Sequence, residues 1–213
     1  MTQSKMPPAP VLQTPRLVLR PLRTKDAPVI QRRFPKWEIV RWLDAGNVPW
    51  PYPPDGAATY VAMALGEMAR GAKAHWALVP RKGTADLIGV ISLWPDDGSG
   101  RGQRGFWLDP DFQGRGLMSE AADAVTDYAF RRLGWPSLCL TNAQGNQASR
   151  RIKEKQGARL VDMRISHCVE GKVTQMVWHL AQEDWLAREP VPAAKREGRR
   201  FDATAFDAVP LGK

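Results

Sequence analysis

The stretch Leu108-Asp-Pro-Asp-Phe-Gln-Gly-Arg-Gly-Leu-Met-Ser-Glu-Ala121 decides how this chain is read. The run Phe106-Trp107-Leu108 just before it has the apolar character of a strand, and Pro110 halts that strand. Gln113-Gly-Arg-Gly116 follows as a glycine turn. Leu117, Ala121, Val125, Tyr128 and Leu133 then recur at helical spacing and predict a helix of about four turns. Strand, glycine turn and helix N-terminus together form a geometry that holds phosphate, because backbone N–H groups and the helix dipole converge on one point. Gly114 and Gly116 let the backbone approach without a Cβ in the way, and Arg115 adds a cation. The same pattern also fits an ordinary strand-to-helix turn.

Working outward, Arg16-Leu-Val-Leu-Arg20 reads as a strand ended by Pro21, and Lys25 to Phe34 as a short helix stopped by Pro35. Val48-Pro-Trp-Pro-Tyr-Pro-Pro54 is a stiff aromatic loop, either a cap over the core or one wall of a substrate pocket. Gly56 to Ala69 is a second helix, and Trp76–Val79 and Leu87–Leu93 are two strands. A glycine-rich loop, Asp97 to Gly105, leads into the Phe106 strand. After the long helix come the strand Leu138–Thr141 and the helix Gln147–Lys155, with Lys153 and Lys155 in its last turn and Gly157 closing it. A hairpin, Arg159–Ile165 and Val173–Leu180, ends the regular structure. This order predicts an α/β fold, a mixed, twisted central sheet of about six to seven strands with helices on both faces. Residues 1–13 read as a disordered lead, 14–187 as the single domain, and 188–213 as a loosely ordered basic, proline-rich tail.

With 43% hydrophobic and 25% charged residues, the chain has the balance of a soluble globular protein, and no apolar run is long enough to span a bilayer. Cys139 and Cys168 lack metal-ligand spacing, and no metal site is expected. They fit a reducing, cytoplasmic compartment, and the polar start of the chain does not resemble a secretory signal. The net charge of +9 is concentrated early: Met1 to Lys36 holds eight Lys or Arg against Asp26 alone. That segment is a solvated basic face or attracts an acidic partner, and no aromatic-rich nucleic-acid motif accompanies it. No nucleic acid or membrane partner is expected, and the oligomeric state is not legible.

Taken in order, Thr14-Pro-Arg-Leu-Val-Leu-Arg-Pro-Leu22, Gly105-Phe-Trp-Leu-Asp-Pro110, Gln113-Gly-Arg-Gly-Leu-Met118 and Asn146-Gln-Ala-Ser-Arg-Arg-Ile-Lys-Glu-Lys-Gln-Gly157 resemble successive motifs of the GCN5-related N-acetyltransferase (GNAT) superfamily. Within it they resemble the branch that acetylates ribosomal-protein N-termini. The third matches the Q/R-x-x-G-x-G/A signature except that Met118 stands where Gly or Ala is usual. Relatives often carry a Glu before the central strand as general base, whereas Arg101-Gly-Gln-Arg104 offers no carboxylate, and Ala158 replaces a usual Phe.

The resemblance implies acetyl-CoA as acetyl donor, its pyrophosphate on the backbone of Gln113, Gly114, Arg115, Gly116, Leu117 and Met118. It implies that Phe106, Trp107 and Leu108 pair with the pantetheine arm as an added strand, where this strand splays from the next. Asn146 and Ser149 share one face of the following helix, Asn146 also being a good N-cap. A neutral amine would attack the thioester, the Leu108 N–H would meet the developing oxyanion, and Ser149 would donate to the departing thiolate. Ser149 has a second reading, bonding its own helix backbone. Asp96, Asp97, His75, His167 or a water chain are open as the base, and none has motif support. The resemblance places Trp50 and Tyr52 over the acceptor, a small amine or a peptide N-terminus. Nearby Arg32, Arg33 and Lys36 would then disfavour polycationic acceptors. A non-catalytic acyl-CoA-binding protein and a nucleic-acid binder using the basic N-terminal region are the competing functions.

Overall fold

The computed structural model of the protein describes residues 5–96, 98 and 103–188. A five-stranded sheet runs in sequence order: β1 (Leu12–Gln13), β2 (Leu17–Pro21), β3 (Ala74–Pro80), β4 (Gly89–Leu93) and β5 (Arg104–Leu108). β6 (Ser137–Ala143), β7 (Arg159–Cys168) and β8 (Gly171–Ala181) form a second sheet in the order β6-β8-β7. Between β2 and β3 lie α1 (Ala27–Arg33), α2 (Trp37–Val40) and α3 (Gly56–Ala69). α4 (Leu117–Asp127) follows β5, α5 (Gln147–Lys155) follows β6, and α6 (Gln182–Leu186) follows β8.

Period-two alternation builds two cores on the first sheet. Leu17, Leu19, Trp76, Leu78, Ile91 and Leu93 face one way and bury Leu117, Ala121 and Val125 of α4. Ala77, Val90 and Trp107 face the other way and meet Ile30, Ile39 and Val61 of α1 to α3. Helices therefore cover both faces, as the sequence predicts.

Several expectations change in detail. The sheet is not one mixed surface: among the described residues every strand pairing is antiparallel, and the ladder breaks between β5 and β6. One backbone bond crosses the break, Gln103 N–H to Cys139 O at 2.8 Å. The part of the lead that is described, residues 5–13, is not disordered. Leu12 and Gln13 pair with Leu19 and Val18, Met6 is buried, and the Trp76 indole donates to Pro10 O at 2.7 Å. Proline-rich composition misled there because two apolar anchors suffice to hold an extended chain on a sheet edge. α4 stops at Asp127 and widens into a π turn, Tyr128–Arg132. Of the tail, Arg188 donates to Lys155 O at 2.7 Å, and residues 189–213 lie outside the described residues, as do Asp97 and 99–102 of the glycine-rich loop.

Candidate active site

The end bonds of the β4–β5 ladder fix which way β5 points. Trp94 N–H bonds Gln103 O at 3.0 Å and Asp109 N–H bonds Ile88 O at 2.9 Å, with Val90 opposite Trp107 and Ser92 opposite Gly105. Antiparallel alternation then turns the backbone groups of Gly105 and Trp107 to β4 and those of Phe106 and Leu108 away from it, into the break before β6. Trp107 is thus removed from the cofactor edge that the resemblance gave it; its side chain is core, with Phe34 edge-on at 5.3 Å. The Gln113 side chain donates to Leu108 O at 2.8 Å, bracing the glycine turn against the strand end.

Beyond that brace, Gly114 and Gly116 hold φ of 73° and 75°, the left-handed region that a Cβ disfavours, and Gln113 to Gly116 are exposed. The first helical bond of α4 is Glu120 N–H to Gly116 O, so the N–H groups of Leu117, Met118 and Ser119 have no acceptor within the helix. Arg16, which sequence reasoning did not single out, clamps this turn: its guanidinium reaches Arg115 O at 2.8 Å and Glu120 at 2.6 Å. Arg115 and Arg33 both lie over the Phe112 ring, at 5.7 and 5.4 Å. The result is a cationic, donor-rich corner suited to a diphosphate.

On the far side of the break, Asn146 caps α5, its side chain accepting from Ser149 N–H at 3.1 Å. The Ser149 hydroxyl does not bond its helix backbone; it contacts Lys153 Nζ at 2.8 Å. Lys153, in the last turn of α5, does not face solvent. It is 2% exposed, with its Nζ 5.7 Å from the centre of the Phe106 ring. Burial, and secondarily the charge of Arg104, pushes its amine well below the usual lysine range. Arg104 is itself buried, donating to Thr126 Oγ1 at 2.5 Å and Gln156 Oε1 at 2.8 Å, and desolvation lowers its guanidinium to about 10. Gln156 passes the chain on to Asp123 at 2.8 Å, whose carboxyl burial pushes up.

The proposed bases fare unequally. His75 is buried, with ring nitrogens 2.7 Å from Ser92 Oγ and 2.9 Å from Glu67 Oε2. The bond to His75, aided by Lys73 and opposed by burial, holds the Glu67 carboxyl at about 2, so this is a closed structural cluster. Asp96 accepts from Gly98 N–H at 3.0 Å, His167 lies exposed on β7, and Asp97 is outside the described residues.

The acceptor loop divides. Tyr52 is half-buried against Phe34 at 5.1 Å, and burial raises its phenol to about 12. Trp50 is 43% exposed and tilts onto Trp37, 5.8 Å away. Arg41 lies over Trp37 and, at 4.3 Å, over Trp42, whose ring stands 2.8 Å from where a Cβ of Gly145 would be. An aromatic rim thus runs from Trp50 to the residue before Asn146. The hairpin backs it: Val169 N–H bonds Leu43 O, and Arg41 pairs with Glu170. The cations invoked against polycationic acceptors are already paired: Arg33 and Lys36 with Asp109, both at 2.6 Å, and Arg32 with Asp86 at 3.3 Å. That expectation is withdrawn. Burial alone would raise the Asp109 carboxyl, but hydrogen bonds from Lys36, Arg33 and the Asp111 N–H outweigh it and hold it below the ordinary range.

A split antiparallel fold with an open stretch of β5 edge and a glycine corner before α4 suits an acyl carrier that ends in a diphosphate. Residues 16–159 match the family described as Acetyltransferase (GNAT) domain, and the chain belongs to that family. It is 28% identical over 154 residues to an uncharacterized N-acetyltransferase of Bacillus subtilis (strain 168), YoaA, covering 70% of this chain and 82% of that one. The ribosomal-protein-S5-alanine acetyltransferase of Vibrio fischeri superposes with a TM-score of 0.70 at 15% identity, covering 83% of this chain and 99% of that one. RimL, a ribosomal L7/L12 α-N-protein acetyltransferase solved with coenzyme A, superposes at 0.66 with 18% identity, covering 84% and 98%. The protein is an N-acetyltransferase whose acetyl donor is acetyl-CoA. The residues present fit that donor, since the β5 edge offers strand-like pairing and the corner offers N–H groups and cations. Among the described residues no helix is long and apolar enough to cross a membrane.

Proposed function

We propose that this enzyme acetylates a primary amine, foremost the α-amine of a protein N-terminus, by direct attack on the thioester. The carrying observation is the β5 edge opening between the glycine corner and Ser149. Pantetheine lies along Phe106 and Leu108 with the diphosphate on Gly114 to Met118, which brings the thioester opposite α5. The Leu108 N–H donates to the oxyanion, a fixed dipole needing no reorganisation as charge develops. Ser149 hydrogen-bonds the departing sulfur. The acceptor enters past the exposed Trp50–Trp37 rim, whose flat faces suit an extended chain better than a compact small amine. Structural neighbours named for ribosomal-protein N-termini point the same way. The early basic segment is largely ion-paired through Arg16, Arg20, Arg32, Arg33 and Lys36, which leaves little support for a nucleic-acid groove. Cysteines without a disulfide and a need for acetyl-CoA fit a cytoplasmic setting.

Thiol release from acetyl-CoA, measured over a panel of N-terminal peptides, polyamines and small amines, tests this reading. Peptides are expected to turn over best. Tight CoA binding with no turnover on any amine would favour a non-catalytic acyl-CoA-binding protein, and best turnover on a small amine would overturn the acceptor assignment.

A further inference from the structure

The site as described lacks a base. The attacking nitrogen must lose a proton and the sulfur must gain one, yet no carboxylate stands at the start of β5, where Arg104 is buried and positive. Meanwhile one titratable group beside the site has no assigned work. Lys153 is 2% exposed, makes no contact with a carboxylate among the described ion pairs, and touches the Ser149 hydroxyl at 2.8 Å and, more distantly, Ser149 O at 3.4 Å. Burying a lysine amine without a counter-charge is costly enough that such groups usually neutralise instead. A neutral amine hydrogen-bonded to a serine is a proton acceptor held behind a hydroxyl.

We propose that Ser149 and Lys153 form the proton shuttle of acetyl transfer, with Lys153 as the proton-holding residue acting through the Ser149 hydroxyl. This rests on the reading that places the thioester opposite α5. As the acceptor nitrogen bonds to the carbonyl carbon, its N–H proton passes to Ser149 Oγ while the Ser149 proton passes to Lys153 Nζ. When the C–S bond breaks, Lys153 returns a proton through Ser149 to the sulfur. One N–C bond and one S–H bond form, one N–H bond and one C–S bond break, and no outside acid or base is consumed. Attacking nitrogen and leaving sulfur share one carbon, so a single hydroxyl can serve both.

The surroundings suit the role. The charged groups bearing on Lys153 are Arg104 from β5 and, through Gln156, Asp123 from α4; the Phe106 ring of β5 and Ser149 of α5 are uncharged. Arg104 keeps its charge and presses against a second one on Lys153, in line with the lowered amine. Lys153 touches no reacting atom, so it positions and stores the proton, and Ser149 is the catalytic contact.

The sign follows from the neutral form being active. Turnover should rise with pH through the Lys153 ionisation, below the ordinary lysine range, and stay high above it. The acceptor amine gives a rise of its own, so kcat is measured against pH with two acceptors of different amine pKa; the limb that does not move with the acceptor belongs to the enzyme. Lys153→Met should lower kcat by about a hundredfold, remove that limb and leave the KM for acetyl-CoA unchanged. Lys153→Gln keeps a hydrogen bond to Ser149 without a basic nitrogen and should be as slow as Lys153→Met. Calorimetric CoA binding verifies that each variant is folded. Should Lys153→Gln restore wild-type turnover, or should the wild type show no acceptor-independent limb, the shuttle is overturned even if Lys153→Met fails to fold. A wild type that binds CoA but acetylates nothing would instead defeat the proposed function itself.

Discussion

The two sides of the β5 break are built by opposite means. On one side, Gln113 to Gly116 is contiguous, exposed and shaped by two positive-φ glycines. On the other, Arg104, Thr126, Ser149, Lys153 and Gln156 come from three elements far apart in sequence and are buried together. Exposed backbone donors cost little to keep, so a local turn can carry a binding function alone. Buried side-chain donors must find partners across the fold, so chemistry there depends on long-range packing. Substitutions should therefore act on affinity on the first side and on turnover or stability on the second.

The largest effect is expected at the buried charge that pins the end of β5 to the α1–α2 segment. Asp109 follows β5, is fully buried, and holds Arg33 and Lys36 together. Asp109→Ala leaves two cations partly buried without their carboxylate and should cost about 3 kcal/mol or more of stability, read by urea unfolding. The pH sign is fixed by the lowered carboxyl: its contribution is complete above the ordinary aspartate range and is lost as pH falls through the depressed folded value. Wild type should therefore lose stability on acidification, and Asp109→Asn should lose less. An alanine variant as stable as the parent would show that this junction is not structural.

Gly116→Val comes next. It places a β-branched side chain at φ 75° and a Cβ 3.5 Å from the Arg16 guanidinium, at the mouth of the unpaired N–H groups. Acetyl-CoA affinity should fall by about a hundredfold, near 2.8 kcal/mol, with stability changed far less. Equal calorimetric affinity in variant and parent would detach the glycine corner from the phosphates. Ser149→Ala is the matching probe across the break. It should lower kcat by about ten- to a hundredfold at nearly unchanged acetyl-CoA KM. A change confined to KM would place Ser149 among the binding groups.

How much of this was legible follows the same division. The glycine turn, α3 and α5 were readable because their signals are local: Gly114 and Gly116, apolar spacing at 56–69, and Asn146 as a cap. The burial of Lys153 was not legible because its place in the last turn of a helix says nothing of what covers it, and only the tertiary fold brings the Phe106 ring of β5 over its amine. Arg33 and Lys36 looked like unpaired charge because their partner Asp109 lies 76 and 73 residues away. The short helices α2 and α6, of four and five residues, carry too little periodicity to register.

The smallest expected effect lies in the aromatic loop, where one pair of residues separates rim from core. Trp50 and Tyr52 look equivalent in sequence, two flat rings among prolines. Their surroundings differ: Trp50 is 43% exposed and rests on Trp37, whereas Tyr52 packs edge-on against Phe34, which in turn meets Trp107 behind β5. A rim ring gives an incoming chain one face of contact in water, worth less than about 1 kcal/mol. Trp50→Ala should therefore raise acceptor KM by about three- to fivefold, leaving acetyl-CoA KM and unfolding stability as they were. Tyr52→Ala removes ring packing from the α1–α3 core, so its cost should fall on stability, with acceptor KM following only as far as the loop loosens. Comparing the two in peptide kinetics and urea unfolding sharpens the division between exposed and buried sides. If Tyr52→Ala moves acceptor KM at unchanged stability while Trp50→Ala moves neither, the acceptor path runs beneath the loop, and the rim from Trp50 to Trp42 has no part in binding.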